Sequence, residues 1–416
     1  MTLLRPSEIS FAQHAPNDAF PVVGGEIAPG GIPIGRLAER VGRTPFYVYD
    51  RAAISARVAM LRKVLPPTLE LHYAMKANPM PAVVQHLARL TDGLDVASAR
   101  EMAVALDTGI DPAHVTFAGP GKSAGEIRQA VAAGITMTAE SEAQLDLAIA
   151  AGEAIGVTPR VALRVNPAFE LKASGMKMGG GPKAFGIDEA LVPALLDRMR
   201  TEGLKLTGLH IFGGSQNLKA DAILDAQTRT YELGLRLANH WGQGIEWLNL
   251  GGGFGVPYFP GEQPLDLAPV AANLETLCAR ASSELGAPLV IELGRYLVAH
   301  AGLYVCRVLE RKQSCGETFL ITDGGLHHHL SASGNFGQVL RKNYPVAIAN
   351  RIGAPLDETQ HVVGPLCTPL DVLADRMKLA HAEPGDLVAV FQSGAYGLTA
   401  SPTAFLSHPA PSELLV

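Results

Sequence analysis

The stretch His72-Tyr73-Ala74-Met75-Lys76-Ala77-Asn78 is a short apolar run that ends in a lysine, and Pro79 follows it directly. Its length suits one buried strand, and the Asn-Pro pair marks the end of that strand. A lysine placed where a buried strand ends can act as an amine nucleophile. The stretch therefore predicts a strand that carries a reactive amine at its C-terminal end.

Similar apolar segments recur after this strand, and helical patterns separate them. The predicted strands are Leu71–Ala74, Leu94–Val96, Val115–Ala118, Ile135–Thr138, Val161–Val165, Leu206–Phe212, Trp247–Leu250 and Leu289–Glu292. Eight strands that alternate with helices are typical of a (β/α)8 TIM-like barrel. After Glu292 the helical patterns nearly stop, and short strands separated by turns predict a second, mostly β domain.

These patterns divide the chain into three segments. Residues 1–45 are rich in glycine and proline and are predicted to join the β domain. Residues 46–291 are predicted to form the barrel, and residues 292–416 the C-terminal β domain. The expected architecture is therefore α/β, a barrel plus a β domain that the N-terminal segment completes.

Composition narrows the class of partner. The chain has 416 residues, 47% of them hydrophobic and 18% charged, with a formal net charge of −6 and no concentrated Lys/Arg run. These features argue against nucleic acid or an anionic membrane as the main partner and favour a small metabolite or another protein. Four cysteines without CxxC spacing fit a reducing cytoplasm. We find no signal peptide or membrane-spanning segment in the sequence and expect a cytoplasmic protein.

Polar residues collect at the predicted strand ends, where barrel enzymes have their active sites. The candidates are Lys76, Asp95, Arg164, His210, Phe212, Gly251, Gly252, Gly253, Glu292 and Arg295. The three glycines let the backbone approach an anion closely, and Ser215 on a neighbouring loop strengthens the interpretation as a phosphate site. An isolated glycine triplet is also compatible with a flexible turn.

A lysine nucleophile beside a phosphate site suggests pyridoxal 5'-phosphate as the cofactor. Glu292 can place an ionised carboxylate opposite the pyridine nitrogen and keep that nitrogen protonated. A protonated ring is the electron sink that stabilises a carbanion at Cα.

The order of the motifs resembles the fold type III pyridoxal phosphate-dependent decarboxylases, the family of ornithine, arginine and diaminopimelate decarboxylases. The His72–Pro79 stretch is similar to the family's YAxKAN lysine motif. Further matches along the chain are Asp95-Val96-Ala97-Ser98, Ala139-Glu140-Ser141-Glu142, Arg164-Val165-Asn166-Pro167, Gly213-Gly214-Ser215-Gln216, Gly251-Gly252-Gly253-Phe254-Gly255, Glu292-Leu293-Gly294-Arg295, Gly364-Pro365-Leu366-Cys367 and Gly394-Ala395-Tyr396. The resemblance covers nearly the whole chain and implies an alanine racemase-like barrel.

The resemblance also implies roles for individual residues. Lys76 would be the Schiff-base lysine, Glu292 the partner of the ring nitrogen, and Cys367 the acid that protonates Cα in the partner subunit's site. The remaining cofactor contacts would be Asp95, Arg164, His210, Phe212, Ser215, Gly251, Gly252, Gly253, Gly294, Arg295 and Tyr396. The family resemblance implies a homodimer with active sites at its interface.

Two departures from the family pattern bear on the site. Phe212 stands where the family usually has a histidine stacked on the cofactor, and His210 lies two residues earlier on the same strand face. Thr368 replaces the acidic residue that binds a distal ammonium, and Ser331 stands where diaminopimelate decarboxylases carry an arginine. With Asp371, these two residues are the candidate substrate contacts, and their character disfavours substrates with a distal amine.

The sequence segments expected to surround the substrate are more similar to those of a biosynthetic side branch of the family. That branch includes decarboxylases of glutamyl groups on acyl carrier protein and exosortase-associated decarboxylases, so a carrier protein is a possible partner. The predicted function is α-decarboxylation of an amino acid or amino-acyl derivative.

Three other interpretations remain open. They are a diaminopimelate- or ornithine-type decarboxylase of a free amino acid, a pyridoxal phosphate-dependent racemase, and a non-catalytic binding protein. Glu292 argues against the racemase, because racemases usually have a weaker partner for the ring nitrogen. The run His327-His328-His329 does not predict a metal site, since adjacent residues of an extended segment point to opposite faces.

Overall fold

The computed structural model describes residues 9, 11, 13–169, 176, 177 and 179–416. These residues form two compact units. The barrel unit comprises Arg57–Val256 and Leu265–Gly294. The β unit comprises the described residues up to Ala56, together with Pro257–Pro264 and Arg295–Val416. Residues 1–8, 10 and 12 of the predicted N-terminal segment lie outside the described residues.

The secondary structure elements are numbered in chain order. The strands are β1 (Val22–Val23), β2 (Glu26–Ile27), β3 (Phe46–Tyr49), β4 (Glu70–Ala74), β5 (Gly93–Val96), β6 (Val115–Phe117), β7 (Thr136–Ala139), β8 (Val161–Asn166), β9 (Met176–Lys177), β10 (Ile187–Asp188), β11 (Leu206–Ile211), β12 (Gly214–Ser215), β13 (Trp247–Gly252), β14 (Leu289–Leu293), β15 (Gly302–Ser314), β16 (Glu317–Thr322), β17 (Val346–Ile348), β18 (Glu358–Val363), β19 (Val372–Leu379), β20 (Leu387–Val390) and β21 (Ser412–Leu415). The α-helices are α1 (Ile34–Val41), α2 (Arg51–Val64), α3 (Pro81–Leu87), α4 (Ala99–Leu106), α5 (Ala124–Ala133), α6 (Glu142–Ile155), α7 (Val192–Thr201), α8 (Ala220–Trp241), α9 (Ala268–Glu284) and α10 (Arg295–Val298). Short 3-10 turns span Pro29–Gly31, Met75–Ala77, Pro112–His114, Ala299–Ala301, Leu398–Ala400 and Phe405–Ser407.

The barrel unit contains a closed parallel sheet of eight strands. Its order is β8-β11-β13-β14-β4-β5-β6-β7, and the pairing of β7 with β8 closes the ring. Strands such as β5 and β8 are buried along their whole length, because side chains fill the barrel interior and helices cover the outside. The predicted (β/α)8 barrel is confirmed, with small differences at the strand ends.

Serine caps fix the loops that leave three neighbouring barrel strands. The Ser98 and Ser141 hydroxyls accept the backbone N–H groups of Glu101 and Gln144 at the starts of α4 and α6. Ser123 and Glu126 form a reciprocal capping box at the start of α5. Each cap satisfies N–H groups that the first helical turn leaves without partners, and so sets where the helix begins. The strand-to-helix turns of β5, β6 and β7 are thereby held at the C-terminal end of the barrel.

The main sheet of the β unit has the order β17-β20-β15-β16-β18-β19, with β3 beside β15 and β21 beside β3, and β1 and β2 form a separate pair. The long strand β15 bridges the sheet: its first half pairs with β3 and β20, and its second half pairs with β16. The chain entering from the N-terminus thus contributes β3 to this unit, and the predicted β domain is confirmed. The predicted barrel segment starts at residue 46, whereas the ladder from Phe46–Tyr49 to Gly302–Val305 places β3 in the β unit.

No helix in the described ranges combines the length and the apolar character needed to cross a membrane.

Candidate active site

A cavity of about 320 Å³ opens at the C-terminal ends of the barrel strands. Six of the predicted site residues line it, namely Lys76, Asp95, Arg164, His210, Phe212 and Glu292. Three larger clefts of the barrel unit, about 450, 520 and 850 Å³, contain none of these six residues, and the latter two lie near the opposite strand ends. The polar groups therefore converge at the end of the barrel where this fold carries its chemistry.

Lys76 projects from a tightly held turn. Strand β4 ends at Ala74, and the 3-10 turn Met75–Ala77 closes when the N–H of Asn78 donates to the carbonyl of Met75 at 3.0 Å. The Tyr73 hydroxyl donates to the carbonyl of Asn78 at 2.9 Å. Met75 and Ala77 are buried while Lys76 is exposed to the cavity, and its Nζ lies 5.8 Å from the centre of the Phe212 ring. The turn thus holds the backbone and directs the amine into the cavity.

Glu292 is a buried carboxylate in the same cavity, 8% exposed. Its Oε2 lies 3.1 Å from Nε2 of His210 and 3.4 Å from the amide nitrogen of Asn249. Burial would raise the pKa of Glu292, but the neighbouring His210, Lys76 and Arg164 outweigh burial and lower the pKa to about 2. Glu292 is therefore ionised at neutral pH.

The glycine turn Gly251–Gly253, at the end of β13, leaves no room for side chains. A Cβ at Gly251 would lie 2.7 Å from the Phe212 ring, and one at Gly253 would lie 2.5 Å from the carbonyl oxygen of Gly214. Gly251 and Gly253 also have positive φ, of 72° and 80°, which glycine adopts without strain. Ser215 lies next to this turn in β12, which pairs with β9. The turn and Ser215 thus form the close backbone approach that the sequence predicts for a phosphate site.

Replacing Gly252 by alanine is expected to destabilise the protein by about 1–3 kcal/mol, the usual cost of overpacking a closed site. The new Cβ would collide with the backbone carbonyl oxygen of Glu292 on the paired strand β14. The free energy of unfolding in denaturant measures the effect. Gly125→Ala in α5 is the matched control, because its Cβ meets only the Ser123 hydroxyl at 4.0 Å. Equal stabilities for the two variants would contradict the prediction.

Gly294 supports the lysine turn from the neighbouring strand end. A Cβ at this position would lie 2.9 Å from both the carbonyl oxygen of Ala74 and the Cβ of Ala77. The absence of a side chain at residue 294 is thus what lets the end of β14 pack against the turn that carries Lys76.

Two charged residues of the site were missed by sequence reasoning. The Arg164 guanidinium donates to Glu140 at 2.8 Å, and Glu140 also accepts the N–H groups of Gly119 and Gly186 at 2.5 and 3.0 Å. Lys122 lines the cavity and donates to two carbonyls and to the Gln144 amide oxygen at 2.7–3.0 Å. Burial lowers the pKa of Lys122 to about 8. The signal available in the sequence was a lysine in the loop that follows the third predicted strand.

The β unit brings a second group of predicted residues together. The guanidinium of Arg295 lies over the rings of Tyr258 and Tyr396, at 5.3 and 4.6 Å from their centres, and Nη1 donates to the Tyr258 hydroxyl at 3.1 Å. Ser331 donates its hydroxyl to the carbonyl oxygen of Tyr396 at 2.9 Å. Ser331 thus holds the backbone of Tyr396, a use of the hydroxyl that the sequence did not indicate.

The turn that carries Cys367 is held by Asp371. Asp371 is buried, and its carboxylate accepts hydrogen bonds from the N–H groups of Leu326 and Leu366 at 2.6 and 2.9 Å. Cys367 is exposed and Thr368 is half-buried on the same turn. Burial raises the pKa of Asp371. Asp371 therefore acts on the backbone of this turn in the structure.

The histidine run is buried in the β unit, where the His329 ring contacts the Ser393 hydroxyl at 2.9 Å. In the described part of the chain, no cluster of three or more His, Cys, Asp or Glu side chains could hold a metal ion.

Comparison with known proteins identifies the family. Residues 51–299 match the pyridoxal-binding domain of the pyridoxal-dependent decarboxylases. The chain belongs to this family. It is a pyridoxal phosphate-dependent decarboxylase of an amino acid or an amino acid derivative.

Relatives of this decarboxylase span nearly its whole length. The L-glutamyl-[BtrI acyl-carrier protein] decarboxylase of Niallia circulans is 40% identical over 379 residues, which cover 89% of this chain and 88% of the relative. The diaminopimelate decarboxylase of Pseudomonas aeruginosa is 34% identical over 404 residues, covering 96% and 94%. The crystal structure of the Helicobacter pylori diaminopimelate decarboxylase with L-lysine superposes with a TM-score of 0.81 at 27% identity, covering 92% and 94%.

The residues of the cavity fit the cofactor. Lys76 supplies an amine and Glu292 an ionised carboxylate. The glycine turn packs behind Phe212 of the lining, and a Cβ at any of its three glycines would clash. Nε2 of His210 forms no hydrogen bond with acceptable geometry among the described residues, although it lies at ion-pair distance from Glu292.

Proposed function

We propose that Lys76 holds pyridoxal phosphate and that Glu292 is the partner of its ring nitrogen. When bound, the cofactor supplies a cationic ring that takes up the electron pair left at Cα as the carboxylate leaves as CO2. The observation that carries the proposal is the ionised, buried Glu292 in the same cavity as the Lys76 amine. A carboxylate that is already charged holds a proton at the ring nitrogen without any rearrangement.

His210 and Phe212 have different roles in this proposal. His210 contacts Glu292 and so fixes the carboxylate and its charge. Phe212 lines the cavity beside the amine of Lys76 and offers an apolar face for a planar ring. The aromatic residue thus replaces the stacking of the family's histidine, and His210 supplies the polar contact that phenylalanine lacks.

The glycine turn and Ser215 are the proposed phosphate contacts of the barrel unit, and the phosphate roles of Arg295 and Tyr396 in the β unit stay predictions from the family resemblance. Backbone N–H groups, a hydroxyl and a guanidinium are the donors that phosphate oxygens accept. The stacking of Arg295 between two tyrosine rings limits the directions its guanidinium can take, so that less conformational entropy is lost on binding.

Cys367 is the proposed proton donor to Cα, acting in the site of a second copy of the chain. Cys367 is exposed, and Asp371 fixes the turn that carries it. This exposure supports the proposal that the thiol reaches a second copy of the chain. The proposal includes a homodimer in which each copy completes the site of the other.

The proposed substrate is a glutamyl group attached to a carrier protein. The relative from Niallia circulans, whose name specifies such a substrate, shares 40% identity with this chain. Thr368 offers no charge for a distal ammonium, and the Ser331 hydroxyl is committed to the backbone of Tyr396. Neither residue therefore offers a charge that would pair with the charged end of ornithine, lysine or diaminopimelate.

CO2 release from a panel of substrates tests this proposal. The panel contains free diaminopimelate, lysine, ornithine and glutamate, and glutamyl thioesters on phosphopantetheine and on a carrier protein. We expect the thioesters to exceed every free amino acid by at least about tenfold in kcat/KM, since the tether adds binding contacts that free glutamate lacks. Faster release from free diaminopimelate or ornithine would contradict the proposal and favour the free amino acid alternative.

A further inference from the structure

A second histidine–carboxylate pair lies inside the barrel, formed by His72 and Asp95. Nδ1 of His72 lies 3.2 Å from Oδ1 of Asp95, and both residues are less than a tenth exposed. The Thr116 hydroxyl donates to the same oxygen at 2.5 Å. Oδ2 of Asp95 has no hydrogen-bond partner among the described residues. Two groups therefore bind Oδ1, whereas Oδ2 is buried without a partner among the described residues. Asp95 itself lines the cavity.

The missing side chain of Gly93 makes this contact possible. His72 and Gly93 are partners in the pairing of β4 with β5, and a Cβ at Gly93 would lie 2.5 Å from Nε2 of the His72 ring. The imidazole therefore fills the space that a side chain would occupy. Gly93 and Asp95 are two residues apart on one strand and face the same side, so the ring that crosses β5 at Gly93 meets Asp95.

The charge of His72 supports the pairing. Burial would lower the pKa of His72, but Asp95 and Glu70 outweigh burial and raise the pKa to about 10. The Glu70 carboxylate lies 3.8 Å from Nε2, an ion-pair distance that is too long for a hydrogen bond. His72 is therefore the cation that balances Asp95 at neutral pH.

We propose that His72 is a positioning residue of the active site, which acts through Asp95. It holds the Asp95 carboxylate turned so that Oδ2 remains as an acceptor for an ammonium group in the cavity that contains Lys76. This inference rests on the proposed function of that cavity. His72 itself lies outside the cavity lining, so its effect on the reaction passes through the carboxylate.

A double-mutant cycle tests the proposal with His72→Leu, Asp95→Asn and the combined variant. Each protein is assayed for kcat, for the rate at which the apoprotein binds pyridoxal phosphate, and for stability in denaturant. We expect each single variant to lose at least about tenfold in kcat, and the combined variant to match Asp95→Asn within about twofold, because one residue acts through the other. The combined variant should also be more stable than His72→Leu, since it contains no unpaired buried charge.

Several results would overturn the inference. Losses in kcat that multiply in the combined variant would show that His72 acts independently of Asp95. Recovery of both stability and kcat in the combined variant would show that His72 only neutralises a buried charge. If His72→Leu does not fold, the kcat of the combined variant is compared with that of Asp95→Asn alone. A lower kcat in the combined variant would then contradict the proposal. His114→Gln, at an exposed histidine in the 3-10 turn before β6, is the control.

The stability comparison uses the apoprotein and does not depend on the role of Lys76. Failure of the proposed function would instead appear as retained cofactor attachment in Lys76→Ala. The two failures are therefore distinguishable.

Discussion

Replacing Lys76 by alanine is expected to abolish covalent attachment of pyridoxal phosphate and to reduce kcat by about a thousandfold or more. The amine of Lys76 projects into the cavity from the turn after β4, and its removal eliminates the nucleophile that activates the bound carbonyl. Loss of the visible absorbance of lysine-bound cofactor measures the first effect, and CO2 release measures the second. Lys63→Ala, an exposed lysine of α2, is the control.

Borohydride reduction followed by peptide mapping sharpens this test. Lys122 also lines the cavity, but all three of its ammonium protons are donated to oxygen acceptors at 2.7–3.0 Å. We therefore expect label on Lys76 alone in the wild-type protein and none on Lys122 in Lys76→Ala. A labelled Lys122 in the wild-type protein would show that the nucleophile has been assigned to the wrong lysine.

Mixing subunits extends the same experiment to Cys367. Lys76→Ala and Cys367→Ala are each expected to be nearly inactive, because each variant lacks one proposed catalytic group in both sites of the dimer. Random mixing makes about half of the dimers heterodimers, each with one site free of both substitutions, so about a quarter of the wild-type activity should return. No recovery on mixing would contradict the placement of Cys367 in the partner's site.

Replacing Glu292 by glutamine is expected to lower kcat by about a hundredfold to a thousandfold while the fold is retained. The substitution keeps the shape of the side chain but removes the charge that holds a proton at the ring nitrogen, and a preorganised charge of this kind contributes about 3–4 kcal/mol. Glu246→Gln, an exposed carboxylate that pairs with Arg160 at 2.5 Å, is the control. A kcat within a factor of three of wild type would rule out the assigned role.

The pH dependence of stability provides an independent check on Glu292. Its pKa is lowered from 4.5 to about 2, so its charge stabilises the fold above pH 4.5, and this contribution is lost as the pH falls through 2. The stability difference between wild type and Glu292→Gln should accordingly be constant at neutral pH and shrink on acidification below 4.5. A difference that stays constant down to pH 2 would show that the carboxylate is not held ionised by its neighbours.

Several features of the site follow from local sequence. Lys76, Glu292 and the glycine turn all stand at strand ends, and strand ends can be located from short apolar runs and turn residues. Because the C-terminal ends of all barrel strands meet at one rim, these residues could be placed in one site before the structure was known. The cavity contains six of the predicted residues for that reason.

Contacts between neighbouring strands were not predictable in the same way. The pairing of Arg164 with Glu140 and the crossing of His72 over Gly93 depend on which strands lie side by side and in what register. Asp371 and Ser331 stay predicted substrate contacts, and the structure adds that both bind backbone groups, which the sequence did not indicate. The direction of a side chain on an irregular turn depends on the surrounding fold and has no periodic pattern.

The sequence by itself determined that eight strands alternate with helices, that a lysine, a glycine turn and a glutamate stand at their ends, and that a β domain follows. The tertiary structure decided that Phe46–Tyr49 pairs in the β unit, that His210 contacts Glu292, and that Glu140 and Lys122 belong to the site. Strand periodicity is a local property that neighbouring residues encode. The partner of a buried charge is set by barrel closure, which brings together residues far apart in the chain.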